Sequence, residues 1–328
     1  MNDPLKRNNV VVTGNLSAAR SIVFVHGFGT DQSAWKEVAD PFMADFRIIL
    51  MDNVGSGRSD PDYFTQHQHR YLNINGYAND LIEVCKALKI VDAIAVGHSA
   101  GGTACLLAAV KAPNRFSKLV LIGASPRYLD DEGYRGGFTK KDIAAIYQSV
   151  SLDYSTWLKS FASAMMANPD FTRRFIDSIQ AIPKEHMLVT LCAILQSDHR
   201  AEVNKLDKPT LLIQTQLDGA VPLEVAEEVC VGGKQSFGLD VFNGAQWLGI
   251  QAARSALAAL LEQLAGPGRS VGHSDRHESG LAPGRPLPRC CPSPAHRAPG
   301  RMATRPAATQ RRRRAHQDCR SPRVRPRP

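Results

Sequence analysis

Val96-Gly97-His98-Ser99-Ala100-Gly101-Gly102 constrains this chain more than any other stretch. It reads G-x-S-x-G. The apolar residues Ala93-Ile94-Ala95-Val96 precede it as a strand, and Thr103 to Val110 follow it as an apolar helix. A strand-to-helix turn this tight leaves no room for neighbouring side chains, so Gly97 and Gly101 flank the serine. The strained turn lifts the Ser99 hydroxyl above the sheet edge, at the N-terminus of a helix whose dipole favours developing negative charge. In an irregular loop the same five residues would be chance. The strand before and the helix after give them meaning.

The flanking chain repeats that alternation. Asn9 to Thr13, Ser21 to Val25, Arg47 to Met51, Lys118 to Ile122, Pro209 to Gln214 and Leu239 to Phe242 read as further strands. Several are continuous apolar runs, as strands covered on both faces must be. Helices are expected over Ser33–Phe42, Gly76–Lys89, Leu223–Cys230 and Arg254–Leu264. Gly76–Lys89 carries Tyr77, Leu81, Val84, Cys85 and Leu88 on one face. Strand-helix order of this kind predicts an α/β fold with a mostly parallel, doubly wound sheet. Residues 125–200 break the alternation and read as helices only, with a capping start at Thr139-x-x-Asp142 and prolines at 169 and 183 opening two more. So long a helical insertion between sheet strands is a helical cap over the strand C-terminal ends, where open α/β sheets bind ligands. Its aromatic and methionine side chains divide between packing on the body and lining a pocket. The expected organisation is a core of residues 8–124 and 201–264, a cap of 125–200 and a tail of 265–328.

Charge separates the tail from the rest. The 328 residues carry a net +9, yet residues 265–328 hold fifteen Arg, no Lys and three acids, which is 15 − 3 = +12; the remainder carries 9 − 12 = −3. Eleven of the twenty prolines also lie there, and no hydrophobic period does, so a disordered basic tail is expected. A basic tail can serve nucleic acid or an anionic surface. Arg, Pro, Ala and Gly without Lys also match GC-rich sequence translated in a shifted frame, and nucleic-acid binding ranks last among the readings. No run of eighteen apolar residues exists, so no membrane span is expected, and the N-terminus lacks an apolar signal region. Cys85, Cys105, Cys192 and Cys230 sit in apolar patterns and read as small core residues, with no zinc or disulfide spacing. A reducing cytoplasm fits. Gly55-Ser56-Gly57 lacks the third glycine opening a helix that a dinucleotide site needs, since Asp60-Pro61 follows. No cofactor and no metal is expected.

A serine attacks an acyl carbon when a base takes its proton and donors stabilise the oxyanion. Ser99 is the candidate nucleophile, and the backbone N–H of Ala100 one oxyanion donor. The Phe28 N–H, in the His26-Gly27-Phe28-Gly29 loop after a neighbouring strand, is the other. Asp218 follows a buried strand after the cap, where the orienting acid belongs in the chain order serine, acid, histidine. The plainer alternative is a turn residue in Leu217-Asp218-Gly219, and the chain order favours the acid. The base belongs between the last strand and the last helix, yet residues 243–251 contain no histidine; Gln246 stands near the expected position and cannot act as a base. His98 sits inside the motif, His26 in the oxyanion loop, His199 at the end of the cap and His273 in the tail.

Four stretches together resemble the RsbQ family of α/β-hydrolases, which includes a bacterial energy-stress regulator and the plant strigolactone and karrikin receptors. They are Gly27 to Trp35, Asp52 to Asp60, Gly97 to Gly101, and Ser197-Asp198-His199-Arg200, within a likeness spanning roughly residues 8 to 230. The resemblance implies a four-helix cap over an apolar pocket, a serine–aspartate–histidine triad and slow hydrolysis of a small hydrophobic ester or lactone. It also implies a role in stress signalling and, for bacterial members, a sensor-domain phosphatase as partner. By position it carries the nucleophile to Ser99, the acid to Asp218 and the oxyanion donors to Phe28 and Ala100. The family's Gly-His pair before the last helix has no match here. Two readings follow: a serine hydrolase, or a non-catalytic ligand- and partner-binding regulator on the same fold. The serine argues against haloalkane dehalogenases and epoxide hydrolases, which place aspartate at the turn.

Overall fold

The computed structural model describes residues 3–166, 169–232, 237–245, 250 and 258. Gln246, His273, the tail 265–328 and, except for Ala258, the helix expected over 254–264 lie outside the described residues.

Seven strands form one sheet: β1 (Val11–Gly14), β2 (Ser21–Val25), β3 (Arg47–Met51), β4 (Ala93–His98), β5 (Phe116–Ile122), β6 (Thr210–Leu217) and β7 (Phe237–Ala245). Their order in space is β1-β3-β2-β4-β5-β6-β7. β1 runs antiparallel to β3, and all other pairings are parallel. Successive side chains of a strand point to opposite faces, so an all-apolar strand demands cover on both. The two cores show this sorting. Val23, Val25, Ile49, Met51, Ala93, Ala95, Leu119 and Leu121 belong to one, with helices Asn75–Ala87 and Ala100–Lys111. Ile22, Phe24, Ile48, Ile94, Val96, Val120 and Ile122 belong to the other, with Trp35, Val38, Phe42 and Phe46. Trp35 is fully buried and lies 5.3 Å from Phe24, ring centre to ring centre. Losing an aromatic side chain of that kind costs about 3–5 kcal/mol.

The chain leaves β2 for β3 on one side, then crosses back to place β4 on the other. The strand order therefore reverses between β2 and β4, and the loops leaving their C-terminal ends diverge to form a crevice. The register Val25↔Gly97 sets the loop after β2 directly beside the turn after β4.

Among the described residues, four cap helices (Lys140–Leu152, Tyr154–Met165, Pro169–Gln180 and Lys184–Gln196) and the short helix Arg200–Val203 separate β5 from β6. The expected capping box is present, with the Asp142 N–H donating to Thr139 Oγ1 and the Thr139 N–H donating to Asp142 Oδ2. Pro169 is the first residue of its helix and Pro183 the cap of the next. Cys85, Cys105 and Cys192 are free thiols, whereas Cys230, buried in the core as expected, is disulfide-bonded, against the expectation of no disulfide. Among the described residues no helix is long and apolar enough to cross a membrane.

Candidate active site

Ser99 ends β4 and caps helix Ala100–Lys111. Its φ is 52° and its ψ −124°, a conformation that L-residues avoid and that a functional turn sustains. The surrounding fold enforces it. The Ser99 N–H donates to the Ile122 carbonyl across the sheet at 2.7 Å, and the Ser99 carbonyl accepts from Gly102 and Thr103. A Cβ on Gly97 would lie 2.6 Å from the Gly101 carbonyl oxygen, and one on Gly101 would strike the His26 and Val25 carbonyl oxygens. Both glycines are thus required by backbone packed against backbone.

On the β2 side, the N–H groups of Phe28 and Ala100 have no hydrogen-bond acceptor among the described residues. Ala100 opens its helix, so its N–H has no partner within the helix. His26 and Asp52 tie the loops of this flank together. The Asn53 N–H donates to His26 Nε2 at 2.9 Å, which leaves Nδ1–H to donate to the Gly27 carbonyl at 2.8 Å. His26 is therefore a neutral bracket between the β2 and β3 loops, and burial lowers its pKa. Asp52, at the end of β3, accepts from Gln32 N–H (2.9 Å), Asn9 Nδ2 (2.7 Å) and Arg58 N–H (2.9 Å).

On the β6 side, Asp218 accepts from the N–H groups of Ala220 and Val221 (2.9 Å each) and from Gln214 Nε2 (3.2 Å). Burial nonetheless pushes its carboxyl up to about 6. No histidine hydrogen-bonds to Asp218 or to Ser99 among the described residues. His98 is buried with both ring nitrogens unpartnered, and burial drives it down to about 3. His199 is buried where the cap rejoins the core, its N–H donating to the Pro126 carbonyl, and burial lowers its pKa. None of the three is placed to take a proton from Ser99 near neutral pH.

The residue that does reach Ser99 is one the sequence reading did not single out. Tyr128, in the loop after β5, lies with its hydroxyl 3.4 Å from Ser99 Oγ. It is 2% exposed, and burial raises its pKa well above the usual phenol range. Its loop is firmly tied: the Tyr128 carbonyl accepts from Phe138 N–H, and Arg127 pairs with Asp198 at 2.8 Å. Arg200 completes the clamp on Asp198 and Asp131, which accounts for the Ser197-Asp198-His199-Arg200 stretch.

Ser99, His98, Thr30, Phe28 and Tyr128 open into a pocket roofed by the cap residues Phe138, Ile146, Phe161, Met165, Phe175 and Leu191. Trp157 stacks behind Phe161 at 5.1 Å and is not part of that lining. The cap's apolar residues therefore divide as expected between lining and packing. An apolar chamber with the Ser99 hydroxyl at its turn and two N–H groups lacking an acceptor among the described residues suits a small, largely apolar molecule carrying one carbonyl.

A family model described as alpha/beta hydrolase fold matches residues 20–252. A probable esterase of Oryza sativa subsp. japonica is 37% identical over 213 residues, 63% of this chain and 76% of the relative. The strigolactone esterase of Arabidopsis thaliana is 35% identical over 225 residues, covering 68% and 83%. Among solved structures, a hydrolase from Oleispira antarctica superposes with a TM-score of 0.74 at 25% identity, over 81% of this chain and 97% of that one.

Proposed function

The chain belongs to the α/β-hydrolase fold family, and we propose that within it this protein is a serine hydrolase of small hydrophobic esters or lactones. The observation that carries the reading is Ser99 held at φ 52° on the floor of an apolar pocket, beside two N–H groups with no acceptor among the described residues. In this mechanism Ser99 Oγ attacks the carbonyl carbon, and the Phe28 and Ala100 N–H groups hold the oxyanion. Water then releases the acid from the acyl-serine. Relatives named as a strigolactone esterase and as a karrikin insensitive 2 receptor support a small lactone-like ligand and a signalling setting. A sensor-domain phosphatase of a stress pathway is the corresponding partner. The test is hydrolysis of p-nitrophenyl butyrate by the unmodified protein and by Ser99→Ala. Turnover by the first and only background with the second is expected. Equal rates would refute the reading.

A second reading has its own observation. Residues 243–251 lack a histidine, with Gln246 near the expected position. A pocket without a triad base suits a regulator that binds ligand without turnover. Ser99→Ala protein that binds a small lactone as tightly as the unmodified protein, neither hydrolysing it, would favour that reading.

A further inference from the structure

The Ser99 proton needs a destination, and the described histidines do not provide one. The sheet order shows what does. Phe28 follows β2, on one side of β4, whereas Tyr128 follows β5 and Asp218 follows β6, on the other. Phe28 thus stands on one flank of Ser99, with Ala100 at the elbow itself, and the Tyr128 hydroxyl stands on the opposite flank, within the field of Asp218. An ester whose carbonyl oxygen lies toward Phe28 and Ala100 turns its leaving oxygen toward Tyr128. Tyr128 is the hydroxyl 3.4 Å from the attacking atom, Ser99 Oγ, on the side to which that leaving oxygen turns. Such contacts are often long before substrate binds. A buried phenol that stays protonated cannot simply remove a proton. It can take one only as it gives one away.

Resting on the serine-hydrolase reading, we propose that Tyr128 is the proton carrier of this site. As the Oγ–carbonyl carbon bond forms and the bond from that carbon to the leaving oxygen breaks, the Ser99 proton moves to Tyr128. The original Tyr128 proton moves to the leaving oxygen, which departs as a neutral alcohol or enol. Tyr128 is neutral before and after. Deacylation reverses the path: water oxygen bonds to the acyl carbon, its proton passes through Tyr128 to Ser99 Oγ, and the acid leaves. The loop is built for accuracy. Gly136 packs against the Tyr128 backbone, where a Cβ would lie 2.6 Å from its carbonyl oxygen. The Thr103 hydroxyl, on the elbow helix, approaches the phenol while donating to the Ser125 carbonyl.

The experiment compares unmodified protein, Tyr128→Phe and Ser99→Ala on acetate esters of rising leaving-group pKa: p-nitrophenyl, phenyl, then ethyl. Proton delivery matters most where the leaving group is poorest. Tyr128→Phe is expected to lose about a hundredfold in kcat/KM on ethyl acetate, and at least about tenfold less on the nitrophenyl ester. The dependence on leaving-group pKa therefore steepens. An equal loss across the series, or no loss, would overturn the relay and leave the serine-hydrolase reading standing. Unmodified protein no faster than Ser99→Ala on any ester would overturn both. The unmodified protein also gives a readout that needs no folded variant. Its rate is expected to fall more in D2O for the ethyl than for the nitrophenyl ester, and equal ratios would count against the relay.

Discussion

The two flanks of Ser99 are built differently. On the β2 side the loop polar groups are well bonded: His26 uses both ring nitrogens and Asp52 accepts three hydrogen bonds, while the Phe28 N–H and, at the elbow itself, the Ala100 N–H have no acceptor among the described residues. On the β6 side the half-buried Asp218 carboxylate has three donors and no cation among the described residues, and its carboxyl is pushed up to about 6. The first flank is finished by local chain geometry. The second depends on a charge partner, normally a histidine, that the described residues do not bring to it.

Substitutions on the two flanks should behave accordingly. Gly101→Ala drives a Cβ into the His26 and Val25 carbonyl oxygens, neither of which is free to move. A loss of about 4 kcal/mol in urea unfolding is expected. A loss under about 1 kcal/mol would show that the elbow has more slack than its packing implies. Asp52→Ala strands three donors in a buried site and should cost about 3 kcal/mol by the same measurement.

Asp218 should respond in the opposite sense. Its folded pKa, about 6, lies above the ordinary aspartate value, so the folded chain holds the proton through a pH range where the unfolded chain has released it. Stability from this group is present at low pH and lost as pH rises from about 4 to about 6. Asp218→Asn keeps an acceptor for the Ala220 and Val221 N–H groups and removes the charge. It should raise stability at pH 7 by roughly 2 kcal/mol and flatten that segment of the stability–pH curve. An unchanged curve would mean that a partner already neutralises Asp218. Thr139→Ala, at a cap helix start remote from either flank, should cost only about 1 kcal/mol and leave ester turnover alone.

What was legible in the sequence follows the same division. The seven strands and the four cap helices announce themselves through apolar runs, helical spacing, the Thr139–Asp142 box and two prolines. The first flank is legible because it is local: Gly97, Ser99, Ala100 and Gly101 are consecutive or nearly so, and Phe28 directly follows a strand. Short elements were missed. Helix Pro61–Gln66 was readable from the Asp60 cap, whose carboxylate accepts from the Tyr63 N–H at 3.0 Å, and from Pro61 at the first position. The 3-10 turn Gln68–Tyr71 carries no comparable signal. Tyr128 was barely legible. Its approach to Ser99 depends on the Arg127–Asp198 pair and on the bridge between Leu129 and Phe138, contacts that span up to 71 positions. Only its place just beyond the C-terminal end of a buried strand hinted at a site residue. Gln246, the residue at the expected histidine position, is a sequence observation alone.

The most direct measurement on the molecule is covalent labelling. An alkyl fluorophosphonate reacts only with an activated serine beside a working oxyanion site. Intact mass and peptide mapping of the unmodified protein should show one adduct, on the peptide carrying Ser99, and none in Ser99→Ala. No adduct, or an adduct on another serine, would contradict a built nucleophile at Ser99.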